Sequence, residues 1–121
     1  MTKNIARYEV ACHCGCGFNS MDFETLKVVQ KCCDYFARLL KQQRVVVTIH
    51  SGARCLMHNR AIGASDASQH VKARAIDFHI VGVRPFEVYA YLDKKYEDRY
   101  GIGSYKTFTH IDTRSNGPAR W

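Results

Sequence analysis

Two stretches of this chain alternate like β-strands yet carry the wrong side chains on one face. In residues 75–81, Ile76, Phe78 and Ile80 share one face, while Ala75, Asp77 and His79 share the other. Residues 107–112 read as a further strand that groups Phe108, His110 and Asp112. Strand faces that pack inward normally carry apolar groups. A carboxylate there is costly unless a cation or hydrogen-bond donors compensate it. The chain must therefore bring these acids and histidines to a partner, and a divalent cation serves several of them at once.

The remaining sequence supplies a small α+β frame. Residues 21–42 read as a helix, because Leu26, Val29, Cys33, Phe36 and Leu40 form one apolar stripe. Asp22 and Glu24 suit its positive end, with Ser20 or Asp22 as the cap. Residues 44–50 are rich in valine and read as a buried strand that ends at Ser51-Gly52. Residues 56–66 are loop or short helix. Pro85 opens a helix over 85–96. Gly101 and Gly103 mark a turn, and Cys12-His13-Cys14-Gly15-Cys16-Gly17 reads as a tight turn within an irregular segment over 1–20. The expectation is one domain over 1–121, a small antiparallel sheet with flanking helices.

Composition excludes several classes. Apolar residues make up 46% and charged residues 24%, which is a globular balance rather than a disordered one. No apolar run approaches the roughly 18 to 20 residues of a transmembrane helix. The first residues lack the apolar core of a secretory signal, so synthesis in the cytoplasm without a signal peptide is expected. Eighteen Lys and Arg against eleven Asp and Glu give a net charge of +7, which favours polyanionic partners. The basic residues are dispersed, so no nucleic-acid arm is indicated.

Six cysteines are many for 121 residues. In a reducing cytoplasm they favour thiols or metal ligation over disulfides. Cys32 and Cys33 are adjacent on the helix and point about 100° apart, which does not suit a shared ligand role. The spacing of Cys12, Cys14 and Cys16 is tighter than structural zinc ligands usually show, which argues against a zinc-knuckle nucleic-acid protein. The plain expectation for them is small thiols beside a turn, with a structural metal shared by some of them and Cys55 as the lesser alternative.

His70 falls at the entry of the strand that holds Asp77, and His110 lies on a neighbouring strand. Two imidazoles and a carboxylate suit Zn²⁺, and three protein ligands leave one position for water, as in catalytic sites. Spacing alone leaves open that these are ordinary hydrogen-bonded pairs at the surface.

A resemblance adds to that reading. Ser68-x-His70-x-x-Ala73-x-Ala75-x-Asp77 resembles the SxHxxGxAxD signature of the zinc D-Ala-D-Ala carboxypeptidases and related peptidoglycan-cleaving peptidases, which share a fold with the Hedgehog signalling domain. Ser51-Gly52-Ala53-Arg54-Cys55 with His58-Asn59 resembles their SGxRC…HN segment. Gly101-Ile102-Gly103-x-Tyr105 and Phe108-x-His110-Ile111-Asp112-x-Arg114 resemble their closing segment, as does the terminal Ala119-Arg120-Trp121. Cys14-Gly15-Cys16-Gly17 is similar to an N-terminal CGCG of one branch.

The resemblance implies one catalytic zinc on His70, Asp77 and His110, and hydrolysis of amide bonds in the peptidoglycan stem peptide or cross-bridge. It implies that Arg54 binds a substrate carboxylate or steadies the oxyanion. Ser68 either hydrogen-bonds the substrate or shapes the turn before His70. Two positions depart from the pattern. Ala73 stands where the family has glycine, a change accommodated if φ there is negative. Thr107 stands where many relatives place the general base. Asp112 is then the expected base, with His79 in reserve, and Asp112 as support for a ligand or for Arg54 is the plainer alternative. The expected setting is a monomeric phage lysin or virion-associated enzyme acting on the cell wall. A zinc-holding binding module of the same fold, without hydrolysis, is the rival.

Overall fold

The computed structural model describes residues 1–121. A short 3-10 turn, Arg7–Val10, leads into α1 (Phe23–Leu39), β1 (Val47–Ser51), α2 (Leu56–Ala61), β2 (Ala75–Ile80), α3 (Pro85–Lys95), β3 (Gly101–Ser104), β4 (Thr109–Asp112) and β5 (Ala119–Arg120). The five strands form one sheet in the order β1-β2-β4-β3-β5. Neighbours are antiparallel except β3 and β5, which run parallel, so the sheet is mixed rather than antiparallel throughout.

The alternation in β2 is realised as its sequence dictates. Ile76, Phe78 and Ile80 are fully buried and join Ile102, Ile111 and the apolar stripes of α1 and α3 in one core. On α1 the stripe holds through Leu26, Val29, Cys33 and Phe36, but Leu40 is half exposed, because the helix ends at Leu39 and the chain turns at Lys41 with φ +56°. Asp22 takes the N-cap position without capping through its side chain. Its carboxylate instead accepts from Thr113 Oγ1 at 3.4 Å and lies 3.9 Å from Arg74 Nε. Pro85 opens α3 as expected.

Three strand assignments change, one of them the strand read over 107–112, which begins only at Thr109 and leaves Thr107 and Phe108 in the loop before it. The first strand begins at Val47 rather than Arg44, because its partner β2 ends at Ile80, opposite Val47; beyond it Val46 keeps one bond, its carbonyl accepting from Val81 N–H at 2.9 Å. Residues 101–104 are not a turn but a strand in the sheet. Gly101 and Gly103 serve close approach. A Cβ on Gly101 would strike the carboxylate of Asp112 and Arg114 Nε, and one on Gly103 would strike the Trp121 indole.

With the core on one side, β2 and β4 present Ala75, Asp77, His79, His110 and Asp112 on the other. Asp77 pairs directly across from His110, and Ala75 from Asp112.

Candidate active site

His70 reaches the sheet from the loop that precedes β2. That loop is a series of turns in which Ser68 Oγ accepts from His70 N–H at 3.2 Å, so Ser68 shapes the approach to His70. His70 Nδ1–H donates to the Gly52 carbonyl at 2.7 Å. This leaves Nε2 directed at Asp77 Oδ2, 3.2 Å away. The turn continues through Ala73 with φ +56°. The expectation of a negative φ at this position is therefore corrected. A left-handed residue is needed to bring Asp22 N–H onto the Ala73 carbonyl at 2.8 Å, and alanine carries the strain that glycine would avoid.

His110 sits between two acids. Its Nδ1 is 2.7 Å from Asp77 Oδ1 and its Nε2 is 2.7 Å from Asp112 Oδ2. His70 Nε2, a carboxylate oxygen of Asp77 and a ring nitrogen of His110 thus converge within 4.8 Å of one another. The donor set fits zinc: three ligands of the right chemistry, with the outer nitrogen of each imidazole anchored, one on a carbonyl and one on a carboxylate.

Burial alone would raise the Asp77 carboxyl pKa, but hydrogen bonds from His110 and His70 outweigh it and hold the group well below the usual carboxylate range. Burial would lower His110, and its bonds to Asp112 and Asp77 reverse that and raise it.

Asp112 is brought to the site, but as a buried partner. It has no exposed surface. Oδ1 accepts from Arg114 Nε and Oδ2 from Arg114 Nη2, both at 2.8 Å, while Oδ2 also faces His110. Burial would raise its pKa, and Arg114 together with His110 holds it well below the carboxylate range. Thr107 lies exposed in the loop before β4. His79 sits two residues beyond Asp77 on the same face. Its Nδ1 is 2.7 Å from His50 Nε2, and its Nε2 has no hydrogen-bond partner.

Arg54 follows the end of β1, where Ser51 pairs with Asp77. Its guanidinium donates to Asn59 Oδ1 at 2.9 Å and to Ser51 Oγ at 3.0 Å. Asn59 is fully buried and is itself held by the Ser65 carbonyl at 2.8 Å. No carboxylate lies within 4.0 Å of Arg54, so its charge is positioned by neutral oxygens and left unpaired.

An aromatic rim was not assigned from the sequence. Trp121 stands 5.1 Å from the His110 ring and donates to Tyr105 Oη at 2.8 Å. Tyr105 stacks on Phe108 at 4.5 Å, and Phe108 on His50 at 5.3 Å. His50 was hidden because a bulge between Ile49 and Ser51 breaks the alternation that would have placed it. The three surface pockets are lined by other residues, and the side chains of His70, Asp77 and His110 are themselves largely buried.

No helix is long and apolar enough to cross a membrane. Searches of curated proteins and of solved structures returned no match. A family model described as Peptidase M15 matches residues 3–112, which takes in all three candidate ligands. The chain belongs to the Peptidase M15 family, the family of zinc D-Ala-D-Ala carboxypeptidases, and is by that membership a zinc metallopeptidase.

Proposed function

We propose that this peptidase cleaves amide bonds of peptidoglycan, in the stem peptide or the cross-bridge, next to D-amino acids. The observation that carries the proposal is the convergence of His70, Asp77 and His110 beside an Arg54 with no acidic partner. His70, Asp77 and His110 would hold the zinc, whose Lewis acidity would lower the pKa of a bound water toward about 7. Arg54 binds a substrate carboxylate or steadies the carbonyl oxygen as charge develops on it. Asp112 orients His110, and His79, its Nδ1 held by His50 and its Nε2 unbonded, would take the proton of the water and pass it to the leaving amine. The Trp121–Tyr105–Phe108 wall suits an extended polymer chain running past the site. The +7 charge favours an anionic wall, and a phage lysin or particle-borne enzyme is the setting that agrees with these features.

The test is amine release from purified peptidoglycan by the zinc-loaded protein, with a chelator and His110→Ala as controls. New amines that vanish in both controls are expected, and fragment masses then name the bond. His79→Ala should retain zinc and lose most of the release. Wall binding with no amine release, from protein carrying zinc at His110, would instead favour a binding module, a reading kept by Thr107 at the usual base position.

A further inference from the structure

Four of the six cysteines gather at a place the catalytic reading does not use. Cys12, Cys14 and Cys16 lie in the turn after Val10, and Cys55 takes the N-cap position of α2. All four Sγ atoms lie within 4.8 Å of one another. Cys14 Sγ is 3.5 Å from Cys12 Sγ and 3.6 Å from Cys55 Sγ. Four sulfurs at about 2.3 Å from a tetrahedral zinc stand about 3.8 Å apart, so the cluster already has nearly that spacing.

The tight sequence spacing is no obstacle in three dimensions. Gly15 and Gly17 adopt φ +81° and +91°, which curls the loop so that its alternate cysteines converge. The fourth donor comes from Cys55, far away in sequence. Two backbone donors also point at sulfur: Cys55 N–H to Cys12 Sγ and His58 N–H to Cys55 Sγ, both at 3.4 Å. The donor on Cys12 favours its thiolate. Cys32 and Cys33, by contrast, are buried in the α1 core and take no part.

We propose that Cys12, Cys14, Cys16 and Cys55 hold a second zinc ion as four thiolates, in a closed, structural site. Binding releases the thiol protons to solvent. The ion ties the N-terminal loop to the start of α2. Arg54 immediately precedes Cys55, and Asn59 of the same helix holds its guanidinium. This metal therefore positions the substrate-binding arginine without touching the reaction.

The test is metal content and cobalt spectroscopy of the full chain purified under reducing conditions. Wild type should carry two zinc ions, and His110→Ala one. Cys14→Ser with Cys16→Ser, both at exposed positions, should also carry one. Cobalt-loaded wild type and His110→Ala should show intense thiolate-to-cobalt charge-transfer bands that the double cysteine variant lacks. One zinc in wild type, lost with the cysteines but kept in His110→Ala, would sustain this site and sink the catalytic one. Wild-type protein without thiolate bands, or with cysteines of the cluster joined as disulfides in that preparation, would overturn the proposal.

Discussion

His110 and Asp112, two residues apart on one strand, are joined from Nε2 to Oδ2 at 2.7 Å, and the same carboxylate is gripped from its other side by Arg114. The link turns the Nδ1 edge of the imidazole toward Asp77. Asp112→Asn should lower zinc affinity at the catalytic site about ten- to hundredfold, the usual effect of losing such a support. Competition with a chelating dye measures it. Unchanged affinity with lost hydrolysis would return Asp112 to the role of general base.

Arg54 is held by Ser51 and Asn59 and neutralises no acid in the fold. Arg54→Gln removes the donor to the buried Asn59 Oδ1 and should therefore lower stability by about 1 kcal/mol or more. It should lower kcat/KM about ten- to hundredfold, the scale of one charge-assisted hydrogen bond. Steady-state kinetics on a defined stem peptide separates the two effects, and lost stability with intact kcat/KM would show a structural arginine instead.

Ala73 holds a left-handed conformation at about 1–2 kcal/mol of strain. Glycine relieves it but enlarges the unfolded ensemble by about 0.4–1 kcal/mol. Ala73→Gly should thus stabilise the protein by up to about 1 kcal/mol, read from urea unfolding. A clear loss would mean that the contacts of the buried methyl outweigh the strain.

The pH response should differ with and without metal. The raised His110 pKa stabilises the metal-free fold below about pH 6.5, and that contribution is lost as pH rises through the folded-state value. The depressed Asp77 and Asp112 values stabilise it above about pH 4, and are lost as pH falls through their folded values. Metal-free protein should therefore melt highest between about pH 4 and 6.5. Zinc must displace the His110 proton, so its stabilisation should grow as pH rises toward 8. Melting curves across pH, with zinc and with chelator, check both limbs; identical profiles would show that His110 does not meet the metal.

The parts legible in the sequence were those written in short-range periodicity. The alternation of residues 75–81 announced both the buried face and the polar one, and β2 carries them as read. Spacing left His70, Asp77 and His110 open as a ligand set, the resemblance singled them out, and the three do converge. What stayed hidden depends on long-range contact. Glycine's low strand propensity disguised β3, whose glycines answer to Asp112 and Trp121 across the sheet. The two-residue β5 has no periodicity to detect. The His50–His79 pair depends on a bulge, and the cysteine cluster, held in the sequence reading only as a lesser alternative, depends on the contact of the loop with Cys55 far away in sequence. Burial of Asp112 was likewise invisible, because only the fold shows Arg114 turning back onto it.

The bare Cα of Gly101 beneath the Asp112–Arg114 pair makes two positions in different strands a single heritable unit. A side chain at 101 and a carboxylate at 112 exclude each other, so the effect of changing either depends on what occupies the other. Mutational drift at residue 101 is blocked until residue 112 has been abandoned, and a variant that has lost the acid can then accumulate bulk at 101 that bars reversion. The passage from hydrolase to inert scaffold along that route would run one way.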